Sequence, residues 1–278
     1  MSAQIGIGSV QFGMDYGISN RLGQTPEGEV AKILEYAINR GIKYIDTAAA
    51  YGTSESILGK NNLSAFNVIS KFMPPSSSET ILESLDDSLS RLNISQLYGY
   101  LAHRPMALIE QSDHWSQLVD LKKQEKVKKI GFSLNHPSEL QALLDKGMIP
   151  EIVQAPFNYF DTRFETAFRE LKQNGCEIHS RSAFLQGLFF KKPLDLSVYF
   201  EEARSAINEL QQKFGKSLPG VLLKYVLSKP FIDVVIIGVE NKEQLDINLN
   251  SINIPEELEE FKGKIPDSII TPSLWPKN

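Results

Sequence analysis

The stretch KYIDTAAAYGTSESILGK, residues 43–60, contains a strand pattern, a short loop and a helix pattern in that order. Residues 43–48 carry aromatic and β-branched side chains, which is typical of a buried strand, and residues 54–60 form a short helical segment. Asp46 stands near the end of the strand pattern, and Tyr51 lies in the loop beyond it. If this unit is repeated, both residues lie at one edge of a parallel sheet.

The rest of the chain repeats this unit. Further apolar runs, each followed by a helical pattern, cover residues 5–10, 67–72, 97–103, 128–133, 151–158, 176–183 and 232–239. Eight strand–helix units within 278 residues favour a closed (β/α)8 TIM barrel, with residues 1–278 forming a single domain. The alternative is a doubly wound open sheet, which usually carries G-x-G-x-x-G after its first strand. The glycines at positions 6, 8 and 13 do not have that spacing.

The composition argues against several classes of partner. The chain has 29 Lys and Arg against 34 Asp and Glu, and its longest basic cluster is KVKK at 126–129. Neither a nucleic acid nor a membrane is therefore expected as a partner. Cys176 is the only cysteine, so neither a disulfide framework nor a metal site is expected. No apolar run reaches the roughly 18 residues that cross a bilayer, and a cytoplasmic protein is expected.

Titratable residues follow or interrupt several of the predicted strands. Asp46, Lys71 and His103 stand near strand ends, and His179 lies within the seventh strand. Taken singly, each has an ordinary explanation as a helix cap, a solvated lysine or a core histidine. In a barrel of this kind, however, the chemistry lies at the carboxyl ends of the strands. Together with Tyr51 on one rim, these residues predict an active site.

These residue types suit the protonation of a carbonyl oxygen. A free tyrosine has a pKa near 10, so it is a weak acid unless its anion is stabilised. An ammonium group such as that of Lys71 provides this stabilisation, and a carboxylate such as Asp46 keeps the ammonium charged. A histidine such as His103 can donate a hydrogen bond to the substrate oxygen. The hydride must come from a cofactor, because no side chain supplies one.

The motif IDTAAAYGTSESILG, with VISKF around Lys71, YLAHRP around His103, KKIGFS and VQAPFN, resembles the aldo-keto reductases. The resemblance covers residues 5–250 and suggests a short, compact bacterial-type member. It implies an NAD(P)H-dependent oxidoreductase that reduces an aldehyde or ketone to an alcohol, or catalyses the reverse reaction. Tyr51 would be the general acid, Lys71 and Asp46 would tune it, and His103 would orient the substrate.

The resemblance also implies a nicotinamide dinucleotide across the barrel mouth, NADP by family habit with NAD possible. Its expected contacts lie at the carboxyl ends of the strands or just beyond them. They are Gly8, Ser9 and Val10 near the ribose, Ser133 and Gln154 at the carboxamide, Arg181 under the ring in place of an aromatic residue, the backbone of Phe184 and Leu185 near the pyrophosphate, and Gly238, Glu240, Gln244 and Asn248 at the adenosine end. Asp46 is expected as a further cofactor contact.

The sequence departs from the family pattern at two places. Leu134 stands where the family usually has Asn, so either Asn135 substitutes for it or Ser133 and Gln154 suffice. Glu240 stands near the expected 2′-phosphate, where a carboxylate repels the phosphate and weakens the preference for NADPH.

The loops beyond the strands are short, which predicts an open mouth and a polar carbonyl substrate such as a sugar. Phe12 and Phe157, with Tyr51 and His103, are expected to contact that substrate. Nothing in the sequence indicates the oligomeric state.

Two other functions fit parts of the pattern. A regulatory or redox-sensing protein would hold the nucleotide with little turnover. An aldolase would use Lys71 as a Schiff base, although this leaves the combination of Asp46 and Tyr51 without a role.

Overall fold

A computed structural model describes residues 3–20, 22–75 and 80–276. Its strands form one closed barrel in which each strand pairs in parallel with the next and the eighth pairs with the first. This confirms the predicted (β/α)8 fold. The strands are β1 Gln4–Gly8, β2 Tyr44–Asp46, β3 Asn67–Phe72, β4 Leu97–Ala102, β5 Val127–Ser133, β6 Ile152–Pro156, β7 Glu177–Arg181 and β8 Val234–Gly238.

Helices surround the barrel. They are α1 Val10–Gly13, α2 Glu27–Asn39, α3 Ser54–Gly59, α4 Ile81–Leu92, α5 Ala107–Glu110, α6 Asp113–Lys123, α7 Pro137–Leu144, α8 Glu165–Gln173, α9 Glu201–Phe214, α10 Leu218–Leu227, α11 Lys242–Ser251 and α12 Asp267–Ile270. Helix α4 begins after Thr80, whose side chain forms a capping box with Glu83. Within the described ranges, no helix is both long and apolar enough to span a membrane.

The alternation of side chains along each strand decides which residues face the inside of the barrel. In β3, Val68 packs against the surrounding helices, whereas Ile69 belongs to the small apolar cluster inside the barrel. Lys71, two residues after Ile69, therefore also points inward, at the carboxyl end of the strand. The same alternation in β2 directs Tyr44 and Asp46 inward. The barrel thus brings charged side chains together at its mouth.

The prediction that His179 belongs to this mouth is wrong. Its ring is fully buried inside the barrel, edge-on to Tyr44, and its Nε2 lies 2.6 Å from Glu177 Oε1. Glu177 is the first residue of β7, and it also accepts a hydrogen bond of 2.6 Å from Tyr98 and pairs with Lys129. His179 is therefore part of a polar network toward the amino end of the barrel.

Candidate active site

Lys71 is the centre of the site at the barrel mouth. Its Nζ is fully buried and lies 2.6 and 2.7 Å from the two carboxylate oxygens of Asp46. It also donates to the Thr47 carbonyl oxygen at 2.9 Å and to the Tyr51 hydroxyl at 3.4 Å. The fold therefore brings Asp46, Lys71 and Tyr51 into direct contact.

The charge of Lys71 follows from these contacts. Burial by itself lowers the pKa of Lys71, but the Asp46 carboxylate and the Tyr51 oxygen outweigh burial and raise it above the usual value. Lys71 consequently remains an ammonium ion at neutral pH. An ammonium beside the phenol oxygen stabilises the anion that forms when Tyr51 gives up its proton.

The loop that carries Tyr51 is held by its neighbours in space. A Cβ atom at Gly13 would overlap the backbone of Tyr51 and Ser54, so only glycine permits this approach of the two loops. The buried Ser54 Oγ lies 2.9 Å from the Ser9 carbonyl oxygen and 2.7 Å from Ser9 Oγ. These contacts attach the Tyr51 loop to the loop after β1. Sequence reasoning missed Gly13 and Ser54 in this role.

His103 stands beside Tyr51, with the two rings edge to face and their centroids 5.6 Å apart. Burial is the main reason that the pKa of His103 is lowered to about 3. The positive charges of Lys71, Arg104 and Arg181 add to this effect. The imidazole is therefore neutral at physiological pH, and a neutral imidazole can donate one hydrogen bond to a carbonyl oxygen.

Gln154 provides a test of whether the mouth fits a nicotinamide ring. Its Nε2 donates to Asp46 Oδ1 at 2.7 Å, while its Oε1 is buried without a hydrogen-bond partner in the described part of the chain. A buried acceptor of this kind requires a donor. The amide N–H of a nicotinamide carboxamide is such a donor, and Ser133 lies beside Gln154 on the neighbouring strand. The residues present therefore fit this cofactor.

The residues after β5 differ in their orientation. Leu134 is fully buried in the apolar layer under the helices, whereas Asn135 is exposed. Asn135 Oδ1 accepts a hydrogen bond of 2.7 Å from Arg181 Nη2, which also donates to the Leu134 carbonyl oxygen at 2.9 Å. Because Asn135 is engaged with Arg181, the arrangement favours Ser133 and Gln154 as the residues that hold the carboxamide. The stacking of Arg181 under the ring stays a prediction.

The expected ribose contacts lie where β1 meets β8. Gly8 and Gly238 are paired in register, and a Cβ at Gly238 would lie 2.8 Å from the side-chain nitrogen of Gln11. Gln11 Oε1 is buried and has no hydrogen-bond partner within the described residues. Gln11 is a second such acceptor, and sequence reasoning did not identify it. Ser9 uses its side chain to contact Ser54, and Val10 begins helix α1 half-buried.

The expected pyrophosphate and adenosine contacts lie in two loops. Leu185 has a left-handed backbone with φ of 45°, and Phe184 beside it is half-buried. The Glu240 N–H donates to Gln244 Oε1 at 2.9 Å, and Asn248 lies one turn further along α11, half-buried. These positions remain predictions as nucleotide contacts.

The two phenylalanines expected to contact the substrate do not line the mouth. Phe12 and Phe157 are fully buried in the apolar layer outside the barrel, where Phe157 stacks on Tyr225. That prediction is wrong because the chain turns these rings toward the helices as it leaves the strands. Tyr16 lies close to the site instead, with its hydroxyl accepting 2.6 Å from Gln186 Nε2.

Comparison with known proteins agrees with the barrel fold. An aldo-keto reductase from Bacillus halodurans, AKR11C1 in its holo form, has a similar fold, with a TM-score of 0.72, 19% identity and coverage of 93% of this chain and 89% of that chain. The uncharacterized oxidoreductase YqkF of Bacillus subtilis is 26% identical over 93% of this chain and 90% of its own length. Glyoxal reductase of the same organism is 28% identical over 74% of this chain and 72% of its own length.

The family assignment rests on a sequence model of the aldo/keto reductase family, which matches residues 4–263 of this chain. The chain therefore belongs to the aldo/keto reductase family. Its members are oxidoreductases that act on small carbonyl compounds with a nicotinamide cofactor.

Proposed function

We propose that this protein reduces an aldehyde or ketone to an alcohol with NAD(P)H, or catalyses the reverse, and that the four residues at the mouth carry the reaction. The observation that supports the proposal is the buried ammonium of Lys71, held between the Asp46 carboxylate and the Tyr51 hydroxyl. Glyoxal reductase among the relatives acts, by its name, on a small dicarbonyl compound, which agrees with a polar substrate.

When bound, NAD(P)H supplies a hydride to the carbonyl carbon. The Tyr51 hydroxyl donates its proton to the carbonyl oxygen, so that one C–H and one O–H bond form as the C=O double bond becomes single. Lys71 stabilises the phenolate left behind, and Asp46 keeps Lys71 charged and in position. Neutral His103 donates a hydrogen bond that orients the substrate oxygen. Reversal of these transfers oxidises the alcohol.

A Schiff-base aldolase fits this geometry less well. Lys71 must be uncharged to attack a carbonyl carbon, and its contacts with Asp46 and Tyr51 raise its pKa above the usual value. Aldolases that use lysine lower this pKa instead. The direction of the shift therefore favours the reductase.

The direct experiment measures NAD(P)H consumption together with alcohol formation for a panel of polar aldehydes. The proposal expects one alcohol formed for each dihydronicotinamide oxidised. If the protein binds the cofactor but oxidises it with no member of the panel, the regulatory or redox-sensing function replaces the enzyme.

The choice of cofactor depends on the residues after β8. The next lysine along the chain, Lys242, is half-buried, and its ammonium lies 4.8 Å above the ring centre of Tyr36, while its backbone N–H donates to Glu29. Lys242 is thus already engaged with Tyr36 and Glu29, and Glu240 adds a negative charge two residues before it. We propose that NADPH is the preferred cofactor, because it is the usual cofactor of the family, and that the protein discriminates only weakly against NADH.

Replacement of Glu240 by alanine tests this assignment. Removing the carboxylate is expected to tighten NADPH binding about threefold to tenfold and to change NADH binding little, because only NADPH carries the extra phosphate. Titration of protein fluorescence measures both affinities, with Glu243→Ala on the exposed side of α11 as the matched control. Equal changes for the two cofactors would show that Glu240 lies away from the 2′-phosphate.

A further inference from the structure

Helix α3 carries a buried carboxylate that the proposed reaction does not use. Glu55 is 2% exposed and lies outside the barrel, in the first turn of α3. Its Oε1 accepts a hydrogen bond from Ser70 Oγ on β3, and its Oε2 lies 2.8 Å from Arg91 Nε and 2.7 Å from Arg91 Nη2 on α4. Burying a carboxylate is costly unless it is paired and hydrogen-bonded. These contacts therefore favour one particular placement of α3 against β3 and α4.

The contact between Glu55 and Ser70 adjoins both members of the proton-transfer pair. Side chains alternate along β3, so Ser70 points outward to the helices while the next residue, Lys71, points into the barrel. Glu55 follows Ser54, whose backbone N–H donates to the Tyr51 carbonyl oxygen at 3.0 Å. The contact thus joins the helix that begins just after the Tyr51 loop to the strand that carries Lys71.

Other contacts hold the two ends of the same segment. Gly59, the last residue of α3, lies against the end of α4, where a Cβ atom at Gly59 would be 2.1 Å from the Arg91 carbonyl oxygen. In the loop before α3, the Ala49 N–H donates to the Lys71 carbonyl oxygen at 3.0 Å. Residues 49–59, which include Tyr51, are therefore fixed to β3 and α4 at both ends, and Glu55 adds a side-chain contact with each.

The spacing that these contacts maintain matters for proton transfer. Lys71 Nζ lies 3.4 Å from the Tyr51 oxygen, which is long for a hydrogen bond. The attraction between an ammonium and a phenolate falls with distance, and it is strong where water is excluded. A small outward movement of α3 would therefore weaken the stabilisation of the phenolate, even though Glu55 lies on the opposite side of β3 from the Lys71 side chain.

We propose that Glu55 is a positioning residue for the reaction, because it fixes α3 against β3 and so sets the distance between the Tyr51 hydroxyl and the Lys71 ammonium. Arg91 holds the Glu55 carboxylate in place. The inference rests on the proposed function, because it concerns the proton transfer in that reaction. Loss of the contact between Glu55 and Ser70 should therefore slow the chemical step and leave cofactor binding as it is.

Two serines of this network provide a matched comparison. Ser70 and Ser88 are both fully buried, and each hydroxyl contacts one member of the ion pair, since Ser88 Oγ accepts from Arg91 Nη2 at 3.2 Å. Ser70→Ala removes the contact with β3, and it is expected to lower the single-turnover rate of aldehyde reduction about fivefold to tenfold. Ser88→Ala leaves the contact with β3 intact and should react nearly as fast as wild type.

Variants of the ion pair should have larger effects. Glu55→Gln removes the charge that pairs with Arg91, and it is expected to lower the single-turnover rate about tenfold to a hundredfold. Arg91→Gln should lower the rate as well. Arg91→Lys keeps the charge and should lower the rate less than Arg91→Gln. If Glu55→Gln does not fold, the two serine variants decide the question.

The pH dependence of the single-turnover rate separates positioning from a purely structural role. The rate of reduction falls at alkaline pH, where the general acid has lost its proton. A phenol that is further from the ammonium keeps its proton to a higher pH. The fall should therefore move to higher pH in Ser70→Ala and Glu55→Gln, whereas Ser88→Ala should retain the wild-type profile. Fluorescence titration measures cofactor affinity, and circular dichroism measures the folded fraction of each variant.

Several results would overturn the inference. They are a wild-type rate and pH profile in folded Ser70→Ala and Glu55→Gln, equal losses of rate in Ser70→Ala and Ser88→Ala, or a loss confined to cofactor affinity. In each case the wild type still reduces the aldehyde, so the carbonyl reductase function stands and only the role of Glu55 is rejected. If the wild type binds the cofactor but reduces no aldehyde, both proposals fail.

Discussion

The two ends of the barrel contain the same four kinds of side chain. At the carboxyl end these are Asp46, Lys71, Tyr51 and His103, and toward the amino end they are Glu177, Lys129, Tyr98 and His179. Even the placement of lysine over tyrosine is alike, with Nζ 5.0 Å from the Tyr51 ring centre and 5.3 Å from that of Tyr98. Residue types alone therefore do not distinguish the candidate active site from a structural network.

The difference lies in the partner of each phenol. The Tyr98 hydroxyl donates to the Glu177 carboxylate, and burial together with this carboxylate raises the pKa of Tyr98 above the usual range. The Tyr51 oxygen instead accepts from the Lys71 ammonium. A phenol that faces a carboxylate holds its proton, whereas one that faces an ammonium can give it up. The contact between ammonium and phenol is what makes one end suitable for proton transfer.

Replacement of Lys71 or Lys129 by methionine should give the largest difference between the two ends of the barrel. Lys71→Met is expected to lower kcat about a thousandfold, because the phenolate loses its stabilising charge. It should also lower the free energy of unfolding by about 3–5 kcal/mol, because Asp46 is left buried without its partner. Lys129→Met should leave kcat nearly unchanged and cost about 1–2 kcal/mol, since Glu177 keeps Tyr98 and His179.

Steady-state kinetics and denaturant unfolding measure both quantities for the lysine variants. Equal losses of kcat at the two ends would contradict the assignment of the site to the carboxyl end.

Replacement of the two histidines by glutamine should give a smaller contrast. His103→Gln is expected to lower kcat/KM about a hundredfold, because the substrate oxygen loses an oriented donor. His179→Gln should change stability rather than kcat/KM, because His179 contacts Glu177 and Tyr44 inside the barrel. Steady-state kinetics on one aldehyde compares them. A His179→Gln variant with the larger catalytic defect would reverse the roles of the two ends.

The two ends should also lose stability in different ranges of pH, which is the smallest effect. An unfolded histidine binds a proton below about pH 6.5. In the folded protein the pKa of His103 is about 3, so His103 stays neutral until the pH falls to that value. An unfolded glutamate is protonated below about pH 4.3. In the folded protein, burial raises the pKa of Glu177, but hydrogen bonds from His179, Lys129 and Tyr98 outweigh this effect and lower the pKa to about 2. In both windows the unfolded state binds more protons, so stability falls as the pH falls.

Unfolding free energies measured against pH separate the two contributions. His103→Gln should flatten the decline between about pH 6.5 and 3, and Glu177→Gln should flatten it only below about pH 4.5. The range between about pH 6.5 and 4.5 therefore reports on His103 alone. An unchanged slope in His103→Gln would show that this histidine is not held neutral by the fold.

The sequence was sufficient to predict the barrel and the inward-facing residues of its mouth. Strand and helix periodicity identified all eight units, because each strand is bounded by a loop and a helix. Asp46 and Lys71 followed from their places at strand ends. The prediction for His179 was wrong because the alternation of side chains along a strand shows that a residue points inward, but it does not show at which end of the barrel the residue lies.

The loop residues were harder to predict for a different reason. The burial of Phe12 and Phe157 depends on how the chain turns after each strand, which side-chain alternation does not specify. The Asn135–Arg181 contact joins residues 46 positions apart, and Gln11 was found only from its contact with Gly238. Contacts of this kind arise from the closure of the barrel.

The most direct test of the account compares Tyr51→Phe with Tyr98→Phe in single-turnover reduction of an aldehyde. Both variants lose one hydroxyl that contacts a charged group inside the barrel, but only the Tyr51 hydroxyl contacts an ammonium. We expect Tyr51→Phe to slow the reaction by about 10²- to 10⁴-fold while the cofactor still binds, and Tyr98→Phe to react nearly as fast as wild type. A Tyr51→Phe variant that reacts at the wild-type rate would contradict the claim that this phenol supplies the proton.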